Sequence, residues 1–327
     1  MQTELKSLYA RCHRWGVILA GGDGKRLLPL TRRITGDDRP KQFCALAGDR
    51  TLLEQTRRRV SRMIDPERTL LVMTKVHERY YRDQVADVPE SLLLVQPQNR
   101  GTAPAIVYSL MRLHALDAEG LVAFFPSDHH FENDEAFAGQ IERAFSLAES
   151  HPETVILLGI VPETPETSYG WIEPGQRFDG PCADTISQVR RFWEKPSEKC
   201  ASELMRGGCL WNSFVMVGRV SSFLGLTRQA IPHLHNSFDS IRQSFLTTEA
   251  ADALTALYSG ILSISFSDEV LAASPDCLAV LRASGLGWSD LGEPARVFSV
   301  LARKGPKSGY GRISAWEGST LASVSAG

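Results

Sequence analysis

The stretch that decides the fold runs from Trp15 to Phe43 and reads WGVILAGGDGKRLLPLTRRITGDDRPKQF. Its apolar run from Gly16 to Ala20 predicts a buried strand, which leads directly into Gly21, Gly22 and Gly24. Because glycine has no side chain, the backbone amides of such a loop can approach an anion closely. In open α/β sheets the ligand crevice lies beyond the carboxyl ends of the strands, which is where this loop falls. The stretch therefore predicts an anion-binding loop on an α/β sheet.

Two familiar glycine motifs do not fit this loop. A dinucleotide fingerprint, G-x-G-x-x-G, would need a third glycine where Leu27 stands, and a Walker A loop would need Ser or Thr where Arg26 follows Lys25. An NAD-dependent oxidoreductase is therefore a distant alternative. The loop instead supplies the cations Lys25 and Arg26, and Lys41 follows fifteen residues after Arg26. Polyphosphate is the ligand that this pattern favours.

Apolar runs and helical patterns alternate through the first half of the chain, which predicts right-handed crossovers and a doubly wound α/β structure. Runs that are apolar on both faces are typical of a buried parallel sheet. We predict strands at Gly16 to Ala20, Thr69 to Met73, Leu92 to Val95, Leu121 to Phe125 and Val155 to Leu158. We predict helices at Thr51 to Met63, Thr102 to Leu116 and Asp134 to Ser150, with Thr102 as the N-cap of the second and Pro104 in its first turn.

The second half has a different texture, since Pro, Gly and aromatic residues interrupt shorter segments after Pro162. We expect antiparallel pieces and loops added to the same sheet, and one domain with two lobes rather than two domains. The predicted fold class is an α/β, Rossmann-like doubly wound mixed sheet with an inserted lobe. The boundaries are an N-terminal extension over 1–14, a domain over 15–300 made of lobes 15–160 and 161–300, and a short tail over 301–327.

Composition excludes several classes of function. The chain has 327 residues, 43% of them hydrophobic, and 36 Lys and Arg against 38 Asp and Glu give a net charge of −2. It can therefore fill a core and has no general excess of positive charge for nucleic acid. No apolar run is long enough for a bilayer span or a signal peptide, so we expect a soluble, cytoplasmic protein without a membrane partner. Six scattered cysteines predict reduced thiols: Cys12, Cys44, Cys182, Cys200, Cys209 and Cys277. The run Arg57 to Arg59 is expected on a solvated helix face.

Taken in order, the motifs resemble the sugar-1-phosphate nucleotidyltransferases, whose opening pattern is close to LAGGxGTRLxPLT followed by a Pro-Lys pair. Within that family, PKQF at Pro40 to Phe43 and VQPQNRGTAPAI at Val95 to Ile106 look like the mannose-1-phosphate guanylyltransferases. Further matches are PSDHH from Pro126, SYGWIEPG from Ser168, FWEKP from Phe192, WNS from Trp211 and GWSDLG from Gly287. They extend over roughly residues 15 to 300. The resemblance implies the nucleotide-diphospho-sugar transferase fold, with 15–160 binding nucleotide and 161–300 binding the sugar phosphate.

The resemblance also implies a reaction in which GTP and α-D-mannose 1-phosphate, the expected substrates, give GDP-mannose and pyrophosphate. Two anions must meet, so their repulsion has to be cancelled. Arg26 would then grip the triphosphate and Lys41 would neutralise the transferring phosphate, and these two are the expected catalytic residues. Base selection would depend on the backbone near Ala20 to Gly22, on the side-chain amide of Gln96, and on Gly101, which has no side chain where a base must approach. The full nucleotide-binding set is Ala20, Gly21, Gly22, Gly24, Lys25, Gln96, Gly101 and Thr102.

By the same resemblance, Asp128 and Asp290 would hold the Mg²⁺ that the reaction requires, although they lie 162 residues apart. Asp128 follows a predicted strand and so should lie at the carboxyl edge of the sheet. His129 and His130 raise the alternative of zinc, but no further Cys or His follows at ligand spacing. The sugar phosphate would be bound by Tyr169, Gly170, Glu194, Lys195 and Asn212.

Three positions depart from the family pattern. Lys25 stands where Thr is usual, Phe214 replaces the usual glycine after Trp-Asn-Ser, and Ser267 occupies a place that is often Asp. The departures at Phe214 and Ser267 keep open another sugar 1-phosphate or nucleotide, such as glucose with dTTP, UTP or CTP. A non-catalytic relative that binds a sugar nucleotide for regulation is a second alternative, which the presence of Arg26, Lys41, Asp128 and Asp290 does not favour. A homodimer is compatible with the sequence, which does not determine the oligomeric state.

Overall fold

The computed structural model describes residues 13–178, 186–246 and 250–304. Cys12, Cys182, most of the predicted N-terminal extension and the tail after Lys304 lie outside the described residues. The four other cysteines, Cys44, Cys200, Cys209 and Cys277, are free thiols, as the sequence predicts. None of the helices in the described ranges is both long and apolar enough to cross a bilayer.

The described residues form a mixed sheet of nine strands: β1 Arg14–Leu19, β2 Thr69–Thr74, β3 Leu93–Gln96, β4 Leu121–Pro126, β5 Val155–Ile160, β6 Gly170–Arg177, β7 Ile186–Glu194, β8 Leu210–Arg219 and β9 Leu278–Ala283. Their spatial order is β3-β2-β1-β4-β8-β5-β9-β7-β6, and β6 also pairs with β8. The neighbours among β1 to β4 run parallel, as do β5 and β9. β8 lies antiparallel between β4 and β5, so the second half extends the same sheet, as predicted.

Helices cover both faces of this sheet, which confirms the doubly wound α/β class. They are α1 Leu28–Thr35, α2 Leu52–Val60, α3 Glu78–Tyr81, α4 Thr102–Leu116, α5 Asp134–Ser150, α6 Glu198–Arg206, α7 Val220–Ala230, α8 Pro232–Ser240, α9 Ala250–Gly260 and α10 Pro294–Lys304. Side chains alternate between the faces of a strand, so Val17 of β1 joins the core that includes α4 and Ile18 joins the core that includes α5.

Two local predictions are wrong, and each fails because of a contact with a distant part of the chain. Thr102 is not the N-cap of α4. Gly101 holds that position, and the hydroxyl of Thr102 accepts a hydrogen bond from the amide of Phe266 at 2.8 Å. Arg59 is not on a solvated face, since its side chain is only 3% exposed and forms an ion pair with Asp134 at 2.6 Å. Its guanidinium also stacks on the ring of Phe131.

Candidate active site

A cavity of about 410 Å³ lies at the carboxyl ends of the parallel strands. Three of the strand ends deliver predicted site residues to it: Gly21 and Gly22 follow β1, Gln96 ends β3 and Asp128 follows β4. The first half of the chain therefore places its expected nucleotide-binding residues together, at the edge of the sheet where an α/β protein binds ligands.

The glycine loop is held by its carbonyl oxygens. The hydroxyl of Thr74 donates to the carbonyl of Gly21 at 3.0 Å, and the amide of the Gln42 side chain donates to the carbonyl of Gly22 at 2.7 Å. No partner for the amides of Gly21 and Gly22 occurs among the described residues. With the carbonyls turned into the protein and the amides unpaired, the loop is suited to binding phosphate oxygens.

Ala20 does not line this cavity. Its amide donates to the carbonyl of Val72 at 2.8 Å, and its carbonyl accepts from the side chain of Gln42 at 3.1 Å. Both backbone polar groups are therefore used within the protein. The contribution of Ala20 to base selection stays a prediction, and in this structure its backbone anchors the loop that starts at Gly21.

Two glycines of the cavity are required by close packing. A Cβ atom on Gly21 would lie 2.8 Å from polar atoms of both Gln96 and Thr74. A Cβ atom on Gly101, whose φ is +83°, would lie 2.3 Å from the carbonyl oxygen of Ile264. The crowding at Gly101 therefore comes from a neighbouring backbone segment, whereas we expected it from an approaching base.

Lys41 joins the two distant aspartates. Its side chain is only 8% exposed, and its ammonium forms an ion pair with Asp128 at 3.2 Å. The same ammonium donates to the backbone carbonyl of Asp290 and, at 3.3 Å, to that of Leu291. Asp128 and Asp290 both line the cavity, so residues separated by 162 positions in the sequence converge on one site, as predicted.

The charges around these carboxylates keep them ionised. Burial acts to raise the pKa of Asp128, but the charges of Lys41 and His129 outweigh it and hold the pKa below 3.8. The pKa of Asp290 is likewise below 3.8, because Lys41 and Arg296 together outweigh its burial. Burial lowers the pKa of His129 from its ordinary value, and the charge of Asp128 opposes this shift.

A second cavity, of about 370 Å³, adjoins the first and shares Asp128 with it. Gly24, Lys25, Arg26 and Lys41 line this space. The side chains of Lys25 and Arg26 are 81% and 58% exposed, so both can move to meet a ligand. The three cations make this the more basic of the two spaces, and it is suited to the outer phosphates of a triphosphate.

Gln96, which is predicted to contact the base, lines the larger cavity and is fixed by Tyr258. The phenol of Tyr258 donates to the Gln96 side-chain oxygen at 2.9 Å, and both side chains are buried. The oxygen of the amide is therefore used within the protein, and its NH₂ group, beside Gly21, remains for a ligand. Gly101 and Thr102 line the same part of the cavity.

The expected sugar-phosphate residues line the opposite end of the larger cavity. Gly170 opens β6 and pairs with Glu194, which ends β7, and the ammonium of Lys195 lies 2.6 Å from the Glu194 carboxylate. Tyr169 packs its ring against the ring of Trp288, with centroids 4.9 Å apart. Asn212 enters from β8. All five predicted residues are therefore brought together by the structure.

Backbone strain marks the same region. Within the described ranges, three residues other than glycine have positive φ: Lys195 at 42°, Phe214 at 58° and Leu291 at 46°. Lys195 and Phe214 line the cavity, and Leu291 follows Asp290. Phe214 lies in an irregular part of β8, and its amide donates to the side-chain oxygen of Asn212 at 3.0 Å. Strained backbone of this kind concentrates at functional sites.

The carboxylates are chemically suited to Mg²⁺. Oδ1 of Asp290 accepts hydrogen bonds from Arg296, Tyr169 and the amide of Gly292, whereas Oδ2 has Arg26 at 4.0 Å as its nearest cation. Oδ1 of Asp128 has His129 at 3.8 Å. Each carboxylate thus keeps one oxygen free of a close hydrogen bond. In the described ranges no group of three or more His, Cys, Asp or Glu side chains could hold a metal, so a cation here would also need oxygens from a substrate.

Sequence reasoning missed several residues of the site. Thr74 and Gln42 stand in segments that the sequence points to, since Thr74 directly follows the strand predicted at Thr69 to Met73 and Gln42 lies within PKQF. Tyr258 and Arg296 have no such signal, because each reaches the site from a helix far along the chain. Ser267, one of the departures, also lines the cavity, whereas its neighbour Asp268 is exposed.

Comparison with known proteins agrees with this geometry. The family described as "Nucleotidyl transferase" matches residues 15–304. The alginate biosynthesis protein AlgA of Pseudomonas syringae pv. tomato is 32% identical over 296 residues, which are 88% of this chain and 58% of that protein. The mannose-1-phosphate guanylyltransferase of Escherichia coli K12 is 26% identical over 90% of this chain and 61% of its own length. The chain thus spans about three fifths of these relatives.

Solved structures show the same fold. A mannose-1-phosphate geranyltransferase from Thermus thermophilus has a TM-score of 0.75 and 30% identity, covering 88% of this chain and 79% of that one. A putative glucose-1-phosphate thymidylyltransferase from Bacillus anthracis has a TM-score of 0.55 and 16% identity, covering 88% and 94%, and supports the fold alone. The resemblance inferred from the motifs is therefore confirmed, and the chain belongs to the nucleotidyl transferase family.

Proposed function

We propose that this protein transfers a guanylyl group from GTP to α-D-mannose 1-phosphate, giving GDP-mannose and pyrophosphate. The observation that carries the proposal is the shared cavity: an anion-binding glycine loop and two carboxylates lie in the same space as a polar pocket suited to a sugar. The relatives named for mannose-1-phosphate guanylyl transfer support the class of reaction. The individual substrates are part of the proposal.

The reaction needs charge neutralisation rather than a covalent intermediate. A phosphate oxygen of the sugar 1-phosphate attacks the α-phosphorus of GTP in line, a new P–O bond forms, and the bond from the α-phosphorus to the bridging oxygen breaks as pyrophosphate leaves. Lys41 is positioned to stabilise the charge on the α-phosphate, and Arg26 to bind the departing phosphates. Because Lys41 is buried, its charge is little screened by water.

Asp128 and Asp290 are the residues that would hold Mg²⁺. When bound, the ion supplies positive charge at the phosphates and orients them. Apart from this, the aspartates hold Lys41 in place, through the Asp128 carboxylate on one side and the backbone of Asp290 on the other. The glycine amides and Lys41 are therefore both available to bind phosphate oxygens.

The hydrogen bonding of the Gln96 side chain favours a nucleotide whose base carries a keto oxygen. Since Tyr258 uses the oxygen of the Gln96 amide, the remaining NH₂ group can donate to a base oxygen. Guanine carries such an oxygen at this edge, whereas adenine and cytosine carry an amino group there. This favours GTP over ATP and CTP. Uracil and thymine also present a keto oxygen, so UTP and dTTP remain the alternative donors, paired with glucose 1-phosphate.

The polar groups that line the acceptor pocket favour a hexose phosphate as the acceptor substrate. The carboxylate of Glu194 accepts hydrogen bonds from hydroxyls, and the NH₂ group of Asn212 donates to them, because the amide oxygen is used by Phe214. Lys195 supplies a cation for the acceptor phosphate. A site built from such groups rejects a sugar that leaves one of them unpaired.

The test is a grid of five triphosphates against mannose 1-phosphate, glucose 1-phosphate and N-acetylglucosamine 1-phosphate, measured as pyrophosphate release with and without Mg²⁺. We expect GTP with mannose 1-phosphate to react fastest, and only with Mg²⁺ and both substrates present. A faster reaction with UTP or dTTP and glucose 1-phosphate would replace these substrates by the alternative pair. Absence of pyrophosphate with every pair, while GDP-mannose still binds, would instead identify a non-catalytic, regulatory relative.

A further inference from the structure

Arg296 lies between Asp290 and the segment that precedes the proposed sugar pocket. It belongs to the first turn of α10, and its side chain is only 13% exposed. Its Nη1 forms an ion pair with Oδ1 of Asp290 at 2.6 Å. Its Nη2 forms an ion pair with Oε2 of Glu166 at 2.9 Å and donates to the hydroxyl of Ser168. One partly buried guanidinium thus connects the carboxylate of Asp290 with the segment that precedes the proposed sugar pocket.

That segment, Glu166 to Gly170, which we call the acceptor loop, contacts the sugar pocket directly. Ser168, Tyr169 and Gly170 all line the cavity. Within the loop, the other oxygen of the Glu166 carboxylate accepts from the hydroxyl of Ser168 at 2.9 Å. The carbon centre of the Arg296 guanidinium lies 4.3 Å from the centre of the Tyr169 ring. Arg296 therefore contacts the acceptor loop at Glu166, Ser168 and Tyr169.

The same guanidinium determines which oxygen of Asp290 is used by the protein. Oδ1 accepts from Arg296, from the phenol of Tyr169 at 3.2 Å and from the amide of Gly292 at 2.8 Å. Three donors on one oxygen fix the rotation of the carboxylate. Among the described residues, Oδ2 of Asp290 has no hydrogen-bond donor, and its nearest cation is Arg26 at 4.0 Å.

We propose that Arg296 is a positioning residue that couples acceptor binding to the orientation of Asp290. A guanidinium suits this task because its donors lie in a rigid plane and serve two carboxylates at once, whereas an ammonium is a single point of charge. Arg296 is not among the residues that line the cavity, so in this proposal it acts on the substrates only through its neighbours. It acts through Glu166 and Ser168 on the acceptor loop, and through Oδ1 on Asp290.

The inference rests on the proposed function, and the experiment separates the two. Three variants separate the contact of Arg296 with Asp290 from its contact with the acceptor loop. Arg296→Gln weakens both contacts, and Glu166→Gln weakens only the contact with the acceptor loop. Arg296→Lys keeps a positive charge beside Asp290 but loses the planar guanidinium that reaches both carboxylates. Arg303→Gln is the matched control on the same helix, since Arg303 pairs with Glu132 at 2.6 Å and is 46% exposed. The readouts are kcat and KM for mannose 1-phosphate, and its Kd from tryptophan fluorescence, because Trp211 and Trp288 pack on Tyr169.

A charge-assisted hydrogen bond lost from a buried site typically changes an equilibrium by roughly ten- to a hundredfold. We therefore expect Arg296→Gln to raise the KM and Kd for mannose 1-phosphate about tenfold and to lower kcat about tenfold. Glu166→Gln should raise KM and Kd but leave kcat close to that of the wild type. Arg296→Lys should restore kcat but not KM, and Arg303→Gln should change neither.

Equal KM, Kd and kcat in wild-type protein and folded Arg296→Gln would overturn the inference. So would a loss that Arg296→Lys repairs in full, since charge alone would then suffice. If Arg296→Gln does not fold, Arg296→Lys and Glu166→Gln decide the question: both should raise KM while kcat stays close to the wild-type value, and a wild-type KM in both would overturn the inference. An inactive wild-type protein would refute the proposed function instead, and the fluorescence Kd would still test the coupling to the acceptor loop.

Discussion

The replacement Lys41→Met probes the charge on which the proposed chemistry depends. The ammonium of Lys41 contacts Asp128 and two backbone carbonyls, and the side chain is 8% exposed. Methionine keeps a similar length of apolar side chain and removes the charge. A hydrogen bond that involves a charged group contributes about 1.5–3 kcal/mol. If one such interaction with the transferring phosphate is lost from the transition state, kcat falls about 10- to 150-fold. Renewed repulsion between the two aspartates, which Lys41 now offsets, adds to this loss.

The assay is pyrophosphate release under saturating substrates, together with circular dichroism and the melting temperature to show that the variant is folded. Lys75→Met is the matched control, because Lys75 is a largely exposed lysine that pairs with Glu78 at 2.7 Å away from the cavity. It should react at the wild-type rate. A folded Lys41→Met protein that keeps at least a third of wild-type kcat would refute the role given to Lys41.

Three further predictions concern the base, the acceptor and pH. Tyr258→Phe removes the donor that fixes the amide of Gln96, so preference for GTP over ATP, measured as a ratio of kcat/KM values, should fall up to about tenfold, and an unchanged ratio would count against this role. Phe214→Gly relieves a left-handed conformation that costs roughly 1–2 kcal/mol and opens the sugar pocket. The variant should therefore react with N-acetylglucosamine 1-phosphate about tenfold better relative to mannose 1-phosphate, whereas Phe214→Leu should not, and equal ratios in all three proteins would contradict it. Burial is the main cause that lowers the pKa of His235 below 6.5, and the charge of Arg228 lowers it further, so the folded state favours the neutral imidazole. Its contribution to stability is complete above about pH 6.5 and is lost as the pH falls below that value. Urea unfolding of His235→Gln should thus show a shallower loss of stability from pH 7 to pH 5 than the wild type, with exposed His233→Gln as control, and equal slopes in His235→Gln and wild type would refute the assignment.

Local patterns were sufficient for much of the fold. The helix Asp134–Ser150 has the predicted bounds because its start is set locally, by Asn133, whose side chain accepts from the amide of Ala136 at 2.9 Å. The capping box of Thr51 and Glu54 is equally local. Elements whose ends depend on short-range hydrogen bonds can be predicted from the sequence beside them.

Predictions failed where a distant segment decided the outcome. The hydroxyl of Thr102 is taken by the amide of Phe266, and Arg59 is buried against α5 by Asp134. Neither partner is recognisable from the local sequence. Local sequence preferences favour an N-cap at Thr102 and a solvated side chain at Arg59, but the tertiary contacts with Phe266 and Asp134 outweigh these preferences.

The site shows the same division. Its glycines, Lys41 and Asp128 follow strands or stand in motifs, so the sequence identifies them. The contacts of Tyr258 with Gln96 and of Arg296 with Asp290 depend on how α9 and α10 pack beside the cavity, so the local sequence does not predict them. The chemistry of the site is therefore readable from the sequence, whereas the contacts that orient it are not.

The most direct test of the central claim is a double-mutant cycle on Asp128→Asn and Asp290→Asn, measured as pyrophosphate release with the best substrate pair. If both carboxylates serve one reacting centre, the double variant should be about as slow as the slower single variant, because each change already disables the same site. Losses that multiply independently, or single variants with wild-type rates, would contradict the claim that these aspartates act together in one cavity.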